Sequence, residues 1–236
     1  MGYPYGTPET NDLIIRDLYA LSNNDSTKFA DWLAYKIDTN NFEGPSRSRY
    51  WRNDPWLEDR ETLEPDDYKN AHEELDTDRG HQAPLANFKG SELYYETNYL
   101  SNITPQRSEL NQGPWRILEE KERELALKFN EYDTYVMTGP VYDYNSSVKL
   151  PEADEWHLLP TAYWKIILLV KDDEVLHAAF LLPQNAERND DFLVYITTIN
   201  NIESLTGLDF LWEMDDVIEE LIESESNDIW IVDNCN

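Results

Sequence analysis

The N-terminal part of the chain carries two β-rich runs, Leu13 to Leu21 and Lys28 to Ile37. They flank Ser22-Asn23-Asn24-Asp25-Ser26, whose residue types favour turns, so the pattern predicts a hairpin. A polar, proline-bearing stretch from Thr39 to Glu74 follows, with little periodicity. It holds Arg47, Arg49 and Arg52 beside Tyr50, Trp51 and Trp56. A loop of that length is usually functional or wrongly assigned. Three later runs, Thr134 to Thr138, Ala162 to Val170 and Val175 to Leu182, are rich in β-branched and aromatic residues and predict central antiparallel strands, with Lys171-Asp172-Asp173-Glu174 turning between the last two. Between the early and late strands, Pro114 to about Tyr132 places Leu118, Leu125 and Phe129 at helical spacing with a proline near the first turn, which predicts a helix. Asp215 to Glu225 predicts another. The expected fold class is α+β, a central, mainly antiparallel sheet flanked by helices.

At 236 residues and 40% hydrophobic content the chain is long enough for a full core, and residues 1 to 236 are read as a single domain. The longest apolar runs, such as Ile166 to Val170, are strand-sized, so no membrane partner is expected. Residues 1 to 20 lack a basic start followed by an apolar run, so no secretory leader is read there. Cys235 is the only cysteine, which excludes an intramolecular disulfide and a thiolate metal cluster.

The formal charge of -29, from 48 acids against 19 bases, ordinarily opposes a polyanionic partner. Its distribution weakens that objection. Asp78 to Arg123 holds seven acids and six bases, whereas the chain after Arg188 holds thirteen acids and no Lys or Arg.

The candidate chemistry centres on Asp78-Arg79-Gly80-His81-Gln82-Ala83-Pro84, which sets a cation, a glycine and an imidazole in succession in a loop-like context. A phosphodiester site needs such groups: a guanidinium for a non-bridging oxygen, and an imidazole titrating near neutrality to take a proton from attacking water. Further along stand Asn98-Tyr99-Leu100-Ser101-Asn102-Ile103-Thr104-Pro105-Gln106 and Leu110-Asn111-Gln112-Gly113-Pro114-Trp115, the latter leading into the helix that holds Glu119 and Arg123.

In these residues the chain resembles the DNA/RNA non-specific endonucleases of the ββα-metal, or His-Me finger, superfamily, and among them the secreted Serratia type. The similarity is dense from Asn70 to Arg123. Weaker matches at Phe29-Ala30-Asp31-Trp32, Thr138-Gly139-Pro140 and Ala162-Tyr163-Trp164-Lys165 extend it over nearly the whole chain. The resemblance implies a ββα-metal active site with His81 as general base and Asn111 as ligand of Mg2+, with Mn2+ as a substitute. It further implies that Glu119 organises water on the metal, that Arg49, Arg79 and Arg123 contact phosphate, and that Asn98 orients substrate or the imidazole. Arg47 and Arg52 compete with Arg49 for its role, and Glu119 with Arg123, four apart, could instead form a surface ion pair. DNA and RNA would be the substrates, cut to 5'-phosphate ends; the protein would be secreted, as a monomer or homodimer.

Asp76 and Asp78 have no ligand role in that family, and Asp78 is expected to support the loop or pair with an arginine. His72, His157 and His177 lack ligand spacing and are assigned packing or surface roles. Trp51 and Trp56 are read as anchors of the long loop in preference to base-stacking platforms. Relatives of the Serratia type carry two disulfides, whereas this chain has Leu193 where the partner of Cys235 would stand. Its acidity predicts tolerance of high salt. The rival reading is a non-catalytic acidic protein that mimics nucleic acid and binds basic partners; a delivered toxin of the same fold is a third.

Overall fold

The computed structural model describes residues 2–172, 174–225 and 229; Cys235 falls outside them, as do Asp228 and Asp233 of the acidic C-terminal part. Among the described residues the strands are β1 (Asp12–Ile15), β2 (Ala20–Asn24), β3 (Phe29–Lys36), β4 (Thr77–His81), β5 (Ile103–Arg107), β6 (Asp133–Tyr142), β7 (Pro160–Lys171), β8 (Glu174–Pro183) and β9 (Ile196–Thr197). The α-helices are α1 (Ala71–Leu75), α2 (Leu85–Phe88), α3 (Ser108–Leu110), α4 (Arg116–Lys128), α5 (Ile199–Thr206) and α6 (Asp216–Ser224). Seven strands form one antiparallel sheet in the order β1-β2-β3-β6-β7-β8-β9, and β4 pairs with β5 apart from it.

The three late runs form the sheet centre as expected, each lengthened by one to four residues at an end. Their near-continuous apolar character follows from burial on both faces. Val136, Ile167, Leu169, Phe180 and Leu182 face the helix α4 side with Leu118, Leu125 and Phe129. The out-of-phase residues Met137, Ile166, Leu168 and Ala179 meet Ile199 and Ile202 of α5, Ile222 of α6, and Phe210 in the segment between the two helices. The sheet is thus a middle layer between helices.

The N-terminal hairpin is instead a three-stranded meander. The Arg16 N–H donates to the Tyr19 carbonyl at 2.9 Å and breaks the first run into β1 and β2. Ser22, Asn23 and Asn24 lie inside β2 and are buried. Burial of their amide N–H2 groups is tolerated because acceptors reach them from elsewhere: Asn24 Nδ2 donates to Asp31 at 3.0 Å and Asn23 Nδ2 to the Glu61 carbonyl at 2.8 Å. The turn falls one step later, where Lys28 takes a φ of 71° and its N–H donates to the Asn24 carbonyl at 2.8 Å.

The long polar stretch is irregular but pinned. Leu63, Tyr68 and Ala71 pack with Phe29, Leu100 and Ile103 in a third apolar cluster. α4 is fixed to the sheet by a water-excluded ion pair. Lys165 Nζ on β7 lies 3.0 Å from Glu122 Oε2, and both side chains are 0% exposed. The other carboxylate oxygen accepts from Tyr35 Oη at 2.9 Å and from Asn87 Nδ2 at 2.8 Å. Among the described residues no helix is long and apolar enough to cross a membrane. On the α5 and α6 side, Glu223 is 4% exposed, and burial, then repulsion from Glu203, Glu219, Asp209 and Glu220, raises its pKa to about 8.

Two stability predictions follow from these buried charges. Lys165→Met leaves Glu122 as an uncompensated buried anion and lowers unfolding free energy by about 3 kcal/mol or more in urea titrations, and adding Glu122→Leu restores most of it. Because the folded pKa of Glu223 stands above that of an unfolded glutamate, the folded state holds the proton more tightly. Stability is therefore lost as pH rises toward and through 8. Glu223→Gln should melt like the parent at pH 4 and above it at pH 9.

Candidate active site

β4 and β5 pair in register, with Asp78 opposite Gln106 and His81 opposite Ile103, so the motif expected in a loop is a strand. Nothing in Thr77-Asp78-Arg79-Gly80-His81 favours β structure strongly except the threonine. The pairing with β5, buried through Ile103 and Thr104, imposes it. Gly80 is needed there because a Cβ would stand 2.4 Å from Gln106 Oε1 and 2.9 Å from its Cβ.

A cleft of about 730 Å3 opens beside this ribbon, and Arg49, Arg79, His81, Asn111 and Glu119 all line it. Strand alternation turns Arg79 and His81 the same way. His81 Nε2 lies 3.3 Å from Asn98 Oδ1, and its ring leans on Trp51 with centroids 5.3 Å apart. An Nε2–H donated to that oxygen leaves Nδ1 free to accept a proton. Burial, then the Arg49 guanidinium, lowers the His81 pKa to about 4, so the imidazole is neutral at physiological pH.

Arg79 packs over Tyr68 and Trp51, at 5.2 and 5.6 Å, and donates to the Pro65 carbonyl at 3.0 Å; its Nε is buried without an acceptor. Among the described residues neither Arg79 nor Arg49 is ion-paired with a carboxylate, although acids outnumber bases in the chain by 48 to 19. The competitors of Arg49 are engaged elsewhere. Arg47 donates to Lys89 and Ser91 carbonyls and covers Tyr94, and Arg52 lies over Tyr95.

Asn111 opens a π-helical turn, Asn111–Trp115, that runs straight into α4. Gly113 permits it, since a Cβ would meet the Arg188 carbonyl oxygen at 2.6 Å. Asp78 neither pairs with Arg79 nor merely supports its loop. Its Oδ2 accepts from Asn111 Nδ2 at 3.0 Å and Gln112 Nε2 at 2.8 Å, and its Oδ1 accepts from Ser108 Oγ at 2.9 Å. These bonds hold its pKa below the ordinary value against the opposing effect of burial. With its amide N–H2 held by Asp78, Asn111 is left with Oδ1 as a free hard donor. Glu119 stands on α4 in the same wall. Burial, then repulsion from Glu122, outweighs the attraction of Lys165 and Arg123 and raises its pKa to about 7.

Arg123 is placed apart from the cleft wall. Its Nη1 donates to Asn87 Oδ1 at 2.9 Å, and Asn87 in turn donates to Glu122. The expected alternative, an ion pair with Glu119, is not formed among the described residues; Arg123 acts on Glu119 through its charge. Sequence reasoning missed Arg116, which lines the cleft one helical turn before Glu119 and pairs with Glu120. Trp56 anchors the loop as expected, with the Arg16 guanidinium 4.3 Å above its ring, whereas Trp51 touches the imidazole itself. His157 and His177 are buried and bonded to backbone, while His72 reaches the cleft wall and lies 3.4 Å from Asp78. Leu193 is 42% exposed.

Three comparisons bear on this arrangement. The sequence model of the family described as DNA/RNA non-specific endonuclease matches residues 1–216. A nuclease of Serratia marcescens is 44% identical over 213 residues, 90% of this chain and 79% of that protein. Human mitochondrial endonuclease G is 28% identical over 219 residues, covering 88% and 72%. The fold superposes on a solved EndoG chain, in a crystal structure of the EndoG/EndoGI complex, with a TM-score of 0.74 and 22% identity over 90% of each chain. That likeness supports the fold, a large antiparallel sheet between helices with the β4–β5 ribbon and α4 lining the cleft. The chain belongs to the DNA/RNA non-specific endonuclease family.

Proposed function

We propose that this protein is a magnesium-dependent endonuclease that hydrolyses phosphodiester bonds of DNA and RNA to 5'-phosphate ends, as a single domain. The observation that carries the reading is a neutral imidazole, fixed by Asn98, in a cleft with two arginines that no acid neutralises. Arg49 and Arg79 hold the non-bridging oxygens of a phosphate, and His81 Nδ1 takes a proton from the water that attacks phosphorus in line. Asn111 Oδ1 and the Glu119 carboxylate, both oxygen donors facing the cleft, fit a hard cation, and positive charge beside Glu119 would favour its ionised form. Mg2+ held there supplies stabilisation of negative charge in the transition state and an acidified water shell; Mn2+ fits the same donors. Arg123, through Asn87, is assigned to holding this end of α4, and its charge adds to the positive potential. Backbone contacts of this kind read no base, which accounts for indifference to sequence and sugar. The likeness to the Serratia nuclease supports secretion, as a monomer or homodimer.

Plasmid DNA and RNA digested by the purified protein should both be cut with Mg2+, and not with EDTA. His81→Ala should lose about 100- to 10,000-fold in kcat. Uncut substrates at every salt concentration would return the protein to the acidic-mimic reading. Asp78→Ala frees the Asn111 amide, so activity should fall about 10- to 100-fold and the Mg2+ needed for half-maximal activity should rise. The surrounding acid repels a polyanion less when the Debye length shrinks to roughly 3 Å at 1 M salt. At constant Mg2+, activity should hold or rise as salt is raised from low concentration; a monotonic fall from the lowest salt rules this out.

A further inference from the structure

A second oxygen-rich cluster lies at the outer end of the meander, apart from the cleft. Asp12 on β1, Asp25 in the turn before β3, and Glu61 in the long polar stretch bring one carboxylate oxygen each within 4.8 Å of one another. All three are partly buried. Among the described residues none is ion-paired with Lys or Arg. The Glu61 side chain accepts from the Glu58 N–H at 2.7 Å, and Lys28, Arg60 and Glu58 complete the charged surroundings. Burial and mutual repulsion raise the pKa of both Asp12 and Asp25.

The independent observation is Asn23. It is 0% exposed, and its Oδ1 is buried without a donor. The amide orientation is set, because Nδ2 donates to the Glu61 carbonyl at 2.8 Å. Asn23 stands directly opposite Asp12 in the β1–β2 register, so the two side chains share a face; it precedes Asp25 by two residues, and its amide is bonded to the Glu61 backbone, so the orphan oxygen belongs to a side chain adjoining all three acids. One Asp25 oxygen is buried without a partner as well. A stripped amide oxygen beside three crowded carboxylates is costly unless something positive is there.

We infer that Asp12, Asp25, Glu61 and Asn23 Oδ1 form a structural binding site for a hard divalent cation of the calcium type. Four oxygens from three separate segments, with water for the rest, suit the six to eight ligands and loose geometry of Ca2+ better than the strict octahedron of Mg2+. The ion fastens the sheet edge and the turn at 25–28 to the stretch that presents Arg49 and Trp51. This site stands on its own observations and does not depend on the nuclease mechanism.

The test uses the full chain with Asn111→Ala, which removes uptake at the catalytic cleft, stripped with EDTA and titrated with CaCl2 in a calorimeter and a melting assay. One equivalent of Ca2+ should bind, and Tm should rise by roughly 5 to 10 °C at about a hundredfold excess over Kd. Asp25→Asn in that background should abolish both effects. In EDTA, Asp25→Asn should be as stable as its parent or more so, because it relieves like-charge repulsion. Stability lost equally with EDTA and with Ca2+ means a purely structural acid and overturns the site, as does the absence of Ca2+ uptake. A rise in Tm with Mg2+ alone overturns the calcium assignment.

Discussion

The ion pair between Lys165 and Glu122, sealed from water between the sheet and α4, is the contact on which the rest of the catalytic arrangement depends. α4 continues directly from the turn that carries Asn111, and the same helix carries Glu119, so its position relative to β7 sets two of the cleft's oxygen donors at once. An apolar contact would hold the helix with similar strength but would leave it free to slide along its ridge. A buried pair with Tyr35 and Asn87 on the remaining carboxylate oxygen has one satisfied geometry. The network reaches the cleft in two ways: Asn87 ties Glu122 to Arg123, and Lys165 and Glu122 act on the Glu119 carboxyl in opposite directions.

The second constraint is electrostatic. A chain of charge -29 that binds polyanions must keep its acids from neutralising the few cations that matter. It does so by giving the acids other partners. Asp78, adjacent to Arg79, spends its oxygens on amide and hydroxyl donors, and Asp54 takes the buried Arg16. Glu120 takes Arg116, and Glu109 takes Arg188. Arg79 is held by aromatic rings and a carbonyl, none of which cancels a charge, and Arg49 forms no ion pair among the described residues.

Much of this was legible in the chain because it lies in local patterning. The helix from Pro114 and the three apolar runs carry their periods openly, and the resemblance over Asn70 to Arg123 named Arg79, His81, Asn111 and Glu119 among the residues that line the cleft. The parts that were not legible depend on long-range partners. Ser22-Asn23-Asn24 has turn composition, yet it forms a buried strand because Asp31 and Glu61 satisfy its amides from elsewhere. Asp78 to His81 has no strand signature, and only the pairing with β5 makes it one. The bond from Arg123 to Asn87 was not legible either, because it joins α4 to a residue 36 positions earlier in the chain.

The same reasoning explains how the imidazole is kept in the neutral form that the proposed role of base requires. An exposed histidine would be protonated in part at neutral pH and would be attracted further toward the charged form by bound phosphate. Loss of water and then the nearby Arg49 charge disfavour the imidazolium, and the 3.3 Å contact with Asn98 opposes them only weakly. In the proposed mechanism Arg49 therefore serves twice: its charge would attract the phosphate, and it also disfavours the charged form of the neighbouring imidazole, against the acidity of the rest of the chain.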